Sequence, residues 1–420
     1  MRTVVMLSYH YPPLGGVAVM RALRFTRYLP EHGWKPVVVA VQGGGREPRD
    51  PQLLEEVPPE AEVHRVACLE PDNYSDSWEH PRQKIVRNLF KTFDFVLFPD
   101  DRALWIGPAA RKAVELVRKY RADALWATAQ PFSTLVAGLR VHRRTGVPLV
   151  VDFRDDWTTS NADFRRHSPG RQKREIALEA EILSAASAVV TVTPGIVDAL
   201  RARKPPGTSD DKFHLLPNGF DPAHFPPRNG ARQGTDFRIL HAGGMYPRRD
   251  PRVFLEGLRR FLDAHPEARA HTRVRFAGRV DDRSRPLLEA GDLRGVVECP
   301  GFLPHRRVRE ELQASDVLLL LLEQVKTVHW LYSGKIFEYI AARRPILAPN
   351  PPDSPISEII RETGIGEVVA PDSPGEVAAA LSRLYERRNQ PIEAAPAVVA
   401  RYDARSQTGE LARILESCCG

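Results

Sequence analysis

A cation, a carboxylate and a helix start fall close together in Ser333-Gly334-Lys335-Ile336-Phe337-Glu338. Leu331–Gly334 reads as a short loop and Lys335–Ala342 as the helix it opens, with a buried strand, Pro345–Ala348, after it. The first backbone N–H groups of a helix have no partner inside it, and the helix dipole makes that end positive. A phosphate placed there is stabilised even before any side-chain charge is added. Lys335 adds a full positive charge at the same end, and Glu338 lies one turn on, within reach of the same ligand. Loop, cation and carboxylate in that order predict a nucleotide diphosphate site, with the carboxylate on ribose hydroxyls. An ordinary amphipathic helix packing Ile336, Phe337 and Ile340 inward accounts for the stretch alone equally well.

A second anion site is predicted upstream. Phe237–His241 reads as a strand, Gly243 and Gly244 as a turn, and Pro251–Ala264 as a helix. Tyr246, Arg248 and Arg249 stand between turn and helix, and glycines followed by cations favour an anion. Two solvent-facing arginines are the plain alternative. In the first half, Tyr11–Gly16 forms a turn between strand Val4–Leu7 and helix Val17–Leu29, where Gly15 and Gly16 let backbone approach a ligand closely. Arg154, Asp155 and Asp156 follow strand Leu149–Asp152. Either carboxylate can hold a ligand hydroxyl or pair with Arg154. Neighbouring side chains diverge, so one of the two aspartates is expected at the ligand edge.

The elements that must position these groups alternate as strand and helix, which implies parallel sheets with ligands at the C-terminal strand ends. A chain of 420 residues is too long for one ordinary core. The predicted division is an N-terminal domain 1–221, a Pro-, Gly- and Arg-rich linker 222–235, a C-terminal domain 236–393 and a tail 394–420 whose helix returns to the first domain. No G-x-G-x-x-G joins a strand to a helix, since Gly43–Gly45 runs into Arg46, Pro48 and Pro51. Pro51–Ser77 reads as irregular. In Gln83–Phe93, Ile85, Leu89 and Phe93 share a helical face and Arg87 and Lys91 are interleaved. Such a helix packs on a sheet or lies on an anionic membrane.

The net charge of +7 favours anionic partners. It is spread along the chain without a zinc finger, RNP-type motif or basic tail, so nucleic acid is not an expected partner. The longest apolar run, Val317–Leu322, is far short of the roughly 20 residues that span a bilayer. MRTVVMLSYHYPP is too briefly apolar for a signal peptide. Cys68, Cys299, Cys418 and Cys419 have no zinc-ligand spacing. A cytoplasmic protein with no metal in its site, peripheral to the inner membrane face if Gln83–Phe93 binds lipid, is the expectation.

SGKIFEYIAARRPILA resembles the donor-binding segment of the retaining GT-B glycosyltransferases of family 4. The resemblance extends to Y-x-P-P-x-G-G with R-Y-L-P-E-H-G-W, to P-N-G-F-D, to HAGGMYPRRDP and to G-F-L-P-H, and so spans nearly the whole chain. It implies an α/β GT-B architecture, two Rossmann-like doubly wound domains facing each other across a cleft, with the acceptor on the N-terminal domain and the donor on the C-terminal one. It implies Arg249 and Lys335 as diphosphate cations and Asp155 on the acceptor side, these three being the catalytic candidates. Gly15, Gly16, Gly243, Gly244, Ser333 and Gly334 would line the donor, Phe302 and Leu303 its nucleobase, and Glu338 its ribose.

The implied activity is hexosyl transfer from a nucleotide-diphospho-sugar to a glycan, lipid-linked or small-molecule acceptor, with no metal and no cofactor. A sugar-nucleotide 2-epimerase of the same fold and a degenerate sugar-nucleotide binding module are the alternatives. The sequence departs from the family pattern at Leu135, where relatives often carry His, at Gly244, where many carry Arg, and at Trp330, where many carry Glu.

Overall fold

Short apolar strands alternating with amphipathic helices build two parallel sheets in the computed structural model, which describes residues 1–43, 49–68, 97–159, 161–225, 235–246, 249–322, 332–390, 392 and 394–420. Two compact units result: Met1–Asn218 with Ala404–Gly420, and Gly219–Asp403. Gln83–Phe93, Arg248, Trp330 and Leu331 lie outside the described residues.

The first unit holds β1 (Arg2–Leu7), β2 (Trp34–Gln42), β3 (Glu62–Ala67), β4 (Ala124–Ala129), β5 (Leu149–Phe153), β6 (Ala188–Thr191) and β7 (Phe213–Leu215). Their order is β3-β2-β1-β4-β5-β6-β7, all parallel. A sheet covered by helices on both faces needs strands apolar throughout, and β4, ALWATA, is buried at every position. β3 corrects the reading of Pro51–Ser77 as irregular. It is a half-buried edge strand without a period-2 apolar pattern, and in-register pairing with β2, from Val37↔Glu62 to Gln42↔Ala67, holds it in place. The strand order reverses between β1 and β4, which puts the ligand crevice of this sheet at their C-terminal ends. Helix Ala404–Ser417 completes this unit by burying Leu411, Ile414 and Leu415 with Val4, Phe25 and Trp34.

The second unit holds β8 (Phe237–Ala242), β9 (Thr272–Ala277), β10 (Val297–Gly301), β11 (Val317–Leu319), β12 (Ile346–Pro349) and β13 (Gly366–Val369), in the order β10-β9-β8-β11-β12-β13 and again parallel. The order reverses between β8 and β11. The helix expected at Lys335–Ala342 has those bounds, and the strand after it is β12. The unit begins before the expected linker and ends inside the expected tail. Phe220, Val399 and Tyr402 share its core, and Phe220 N donates to Tyr402 O at 2.9 Å. Buried aromatic surface thus ties 219–221 and 394–403 to this unit.

Candidate functional site

At the β8–β11 reversal the chain brings Gly243, Gly244, Arg249 and Lys335 together. Gly243 follows β8 with φ +131, a conformation L side chains rarely adopt. A Cβ there would overlap Nζ and Cε of Lys335, so the ammonium lies directly over the Gly243 backbone. Gly243 N donates to Ala277 O at 2.7 Å, which anchors the turn to the end of β9. Arg249 braces the same turn by donating through Nη1 to Gly244 O at 2.6 Å. A Cβ at Gly244 would meet the Tyr246 ring at 2.7 Å, and the Arg249 guanidinium lies 5.7 Å from that ring's centroid. An aromatic ring therefore occupies the space beside position 244.

Lys335 opens its helix behind Ser333 and Gly334, with no side-chain cap on the first N–H groups. Tyr339, one turn on, fixes that helix to the sheet. Its buried hydroxyl accepts from Ala242 N at 2.9 Å and donates to Leu319 O at 3.3 Å, linking the ends of β8 and β11. Burial pushes its phenol well above the usual value. His241, fully buried at the end of β8, places Nδ1 2.9 Å from Leu319 O and Nε2 3.5 Å from Lys335 Nζ. Burial first, then the nearby charge of Lys335 and more weakly Arg249, hold this imidazole well below the ordinary histidine range, against the opposing bond to Leu319 O.

Glu338 pairs with His305, Nε2 to Oε1 2.8 Å, at the start of helix His305–Ala314. The two expected nucleobase residues part company. Phe302 is 83% exposed, whereas Leu303 packs against the hydrophobic core.

In the other unit, Gly15 and Gly16 precede helix Val17–Tyr28, and Gly16 has φ +87 at a helix start with no side-chain cap. Arg154 donates to three backbone carbonyls, Ala129 O, Ala18 O at 2.5 Å and Gln130 O at 2.9 Å, clamping the ends of β4 and β5 to the start of that helix. The aspartates diverge as expected of neighbours. Asp156 is buried, accepting from Arg203 Nη2 at 2.9 Å and Thr159 N at 3.0 Å, so it holds structure. Asp155 is half-buried, and burial raises its carboxyl above the usual range despite the Arg154 charge. A cavity of about 490 Å³ opens at the ends of β1, β4 and β5, lined among others by His10, Gln130, Phe132, Trp157 and Arg171. Leu135 is wholly buried in the core and offers this edge nothing polar.

His241, Tyr339 and His305 carried no assigned role in the sequence reading. A polar residue at a buried strand position, one residue removed from a Gly-Gly turn, was the available signal for His241. Tyr339 lacked one, because a helix pattern does not say which buried residue spends its hydroxyl on a strand end.

Residues 15–219 match the model of the Glycosyl transferase 4-like domain and residues 236–387 that of Glycosyl transferases group 1. A D-inositol 3-phosphate glycosyltransferase of Acidothermus cellulolyticus is 24% identical over 58% of this chain and 56% of its own length. The chain thus spans little more than half the length of that relative. The crystal structure of Anabaena HepE in complex with UDP-glucose superposes with a TM-score of 0.60 at 14% identity, over 99% of this chain and all of that one. The UDP-GlcNAc 2-epimerase of Methanocaldococcus jannaschii gives 0.57 at 11% identity, over 99% of this chain and 100% of its own, so the fold is shared beyond transferases. With both units matched in chain order, this chain belongs to the group 1 glycosyltransferases of GT-B fold.

Proposed function

We propose that the protein transfers a hexosyl group from a nucleotide-diphospho-sugar to a hydroxyl acceptor, with retention at the anomeric carbon. The observation that carries this reading is the ammonium of Lys335, held over Gly243 at an uncapped helix start with Arg249 bracing the same turn. Breaking the anomeric C–O bond leaves negative charge on the diphosphate and oxocarbenium character on the sugar. In this reading the ammonium, the guanidinium and the helix N–H groups meet that negative charge, and preorganised donors of this kind lower a barrier most. They need no metal to do so. HepE was crystallised with UDP and with UDP-glucose, which supports a nucleotide-diphospho-sugar as the donor class here.

In this reading Glu338 holds the donor ribose, Phe302 offers its exposed ring to the base, and Ser333 and Gly334 present backbone to the phosphates. Gly15 and Gly16, at the ligand edge of the first unit's sheet, let backbone approach a ligand closely. Asp155 orients the acceptor hydroxyl, and the cavity at the ends of β1, β4 and β5 receives the acceptor. Retention, with a donor phosphate oxygen helping to remove the acceptor proton, is what the resemblance to family 4 implies.

The test is incubation with a panel of nucleotide sugars, first alone and then with acceptor extracts of glycan, lipid-linked and small-molecule classes. Nucleotide release that requires acceptor supports transfer. Epimerised sugar from donor alone would replace this reading with the epimerase one. Saturating donor with neither product would leave a binding module. Among the described residues no helix is long and apolar enough to cross a membrane.

A further inference from the structure

We propose that His241 is a positioning residue for the transfer: its Nε2 accepts from Lys335 Nζ and holds the ammonium over Gly243, where the diphosphate charge is neutralised. The inference rests on the donor-site reading above and assigns a task to a residue outside it.

The polarity of the contact is fixed by chemistry. Leu319 O can only accept, so the proton of the imidazole sits on Nδ1 and the lone pair on Nε2 faces Lys335. An ammonium has three donors and no acceptor. One of them is directed back to His241. The 3.5 Å separation is long for a hydrogen bond, and two further contacts keep the geometry narrow. The Lys335 stem lies against Gly243, whose missing side chain is the space it fills. The His241 ring packs beside Phe276, centroids 5.8 Å apart, and is wholly buried.

A core histidine with a purely structural task would be satisfied by Leu319 O alone. That carbonyl already accepts from Tyr339, and the second ring nitrogen points at the lysine that opens the helix rather than at apolar side chains. Because burial and the two cations disfavour its protonation, the imidazole remains an acceptor and does not compete with Lys335 for the phosphates. Arrangement of this kind matters more with Gly244 in place of a second cation, since placement of the remaining ammonium then sets much of the local field.

The experiment measures inorganic pyrophosphate and UDP binding by calorimetry for the full chain and for His241→Phe, His241→Gln, His241→Asn, Lys335→Ala and the double variant His241→Phe/Lys335→Ala, with melting curves for each. Phenylalanine keeps the ring and removes the acceptor. Glutamine carries an amide oxygen to about the place of Nε2, whereas asparagine retains the bond to Leu319 O and falls short of Lys335. The expected result is roughly tenfold weaker pyrophosphate binding for the Phe and Asn variants, the size of one lost charge-assisted hydrogen bond, and recovery to within about threefold for Gln. In the Lys335→Ala background, His241→Phe should then cost almost nothing further. Wild-type binding by both Phe and Asn variants overturns the inference. So does an equal loss with and without Lys335, which would make His241 merely structural. If Lys335→Ala itself binds pyrophosphate and UDP as the wild type does, the donor-site reading falls, and that outcome is separate from the first two.

Discussion

Gly243→Ala separates the geometry of the proposed donor site from its charge, because it removes no charged group. The new methyl has two effects. It sits on a residue with φ +131, and holding a non-glycine residue in such a region costs about 1–3 kcal/mol. For a domain of roughly 150–250 residues each kcal/mol lowers Tm by about 2–4 °C, so a fall of several degrees is expected. The methyl also occupies the place of Lys335 Nζ and Cε. A lysine stem is flexible and can swing aside, so this adds little to the stability loss. The ammonium, however, leaves its position. If it acts on the leaving diphosphate, turnover should fall by about 10²–10³, the loss typical of one preorganised donor. The assay is steady-state release of nucleotide at saturating donor, well below the melting point of both proteins. Adding Gly243→Ala to Lys335→Ala should lower the rate little further, since both changes act through one group. A Gly243→Ala protein that stays folded and turns over within about twofold of the wild type would refute the claim that Lys335 must lie over this turn.

Lys335→Ala and Arg249→Ala should each lower turnover by about 10²–10³ with far-UV circular dichroism unchanged, and wild-type rates in both would remove the cation assignment. Glu338→Ala should raise the donor KM more than it lowers kcat, because a ribose contact is made equally before and during bond breaking; initial-rate kinetics at varied donor decide this. His241 gives a pH signature of defined sign. Its pKa is lowered in the folded chain, so below the unfolded value of about 6.5 the unfolded state binds the extra proton and stability falls as pH falls. The slope from this group is at most about 1.4 kcal/mol per pH unit, and it should vanish in His241→Phe when urea unfolding of the two proteins is compared at pH 7.5 and 5.5. Asp156→Ala should destabilise the first unit by leaving Arg203 and Thr159 N short of a partner, whereas Asp155→Asn should lower activity with little change in Tm.

Much of the fold was written in local pattern. Helix Lys335–Ala342 has the bounds read from the sequence, because it combines a periodic apolar face with an identifiable start. β3 was not legible, since an edge strand takes its shape from the neighbour it pairs with, and Val63 and Val66 do not alternate as a half-buried strand should. The unit boundaries moved for a related reason. Pro and Gly mark where a chain can bend, but the burial of Phe220 against Tyr402 decides which core a segment joins.

The site shows the same division between chemistry and its support. Lysine beside a helix start, or glycines before arginine, announce themselves because the residue type and the backbone context are both local. What holds Lys335 in place is not local. Tyr339 reaches across to the backbone of β8 and β11, His241 bridges those two strands, and Gly243 leaves the space the lysine stem fills. These three act only once β8 and β11 are neighbours, a pairing of residues nearly eighty positions apart that no window of sequence contains. The departure at Gly244 is resolved in the same way. Read along the chain it is a lost cation, but in the folded unit Tyr246 packs where a side chain would stand and Arg249 closes on the Gly244 carbonyl. If a diphosphate binds here, the few cations must each be placed more strictly, and the supporting residues at the β8–β11 reversal are the part of the molecule that can do so.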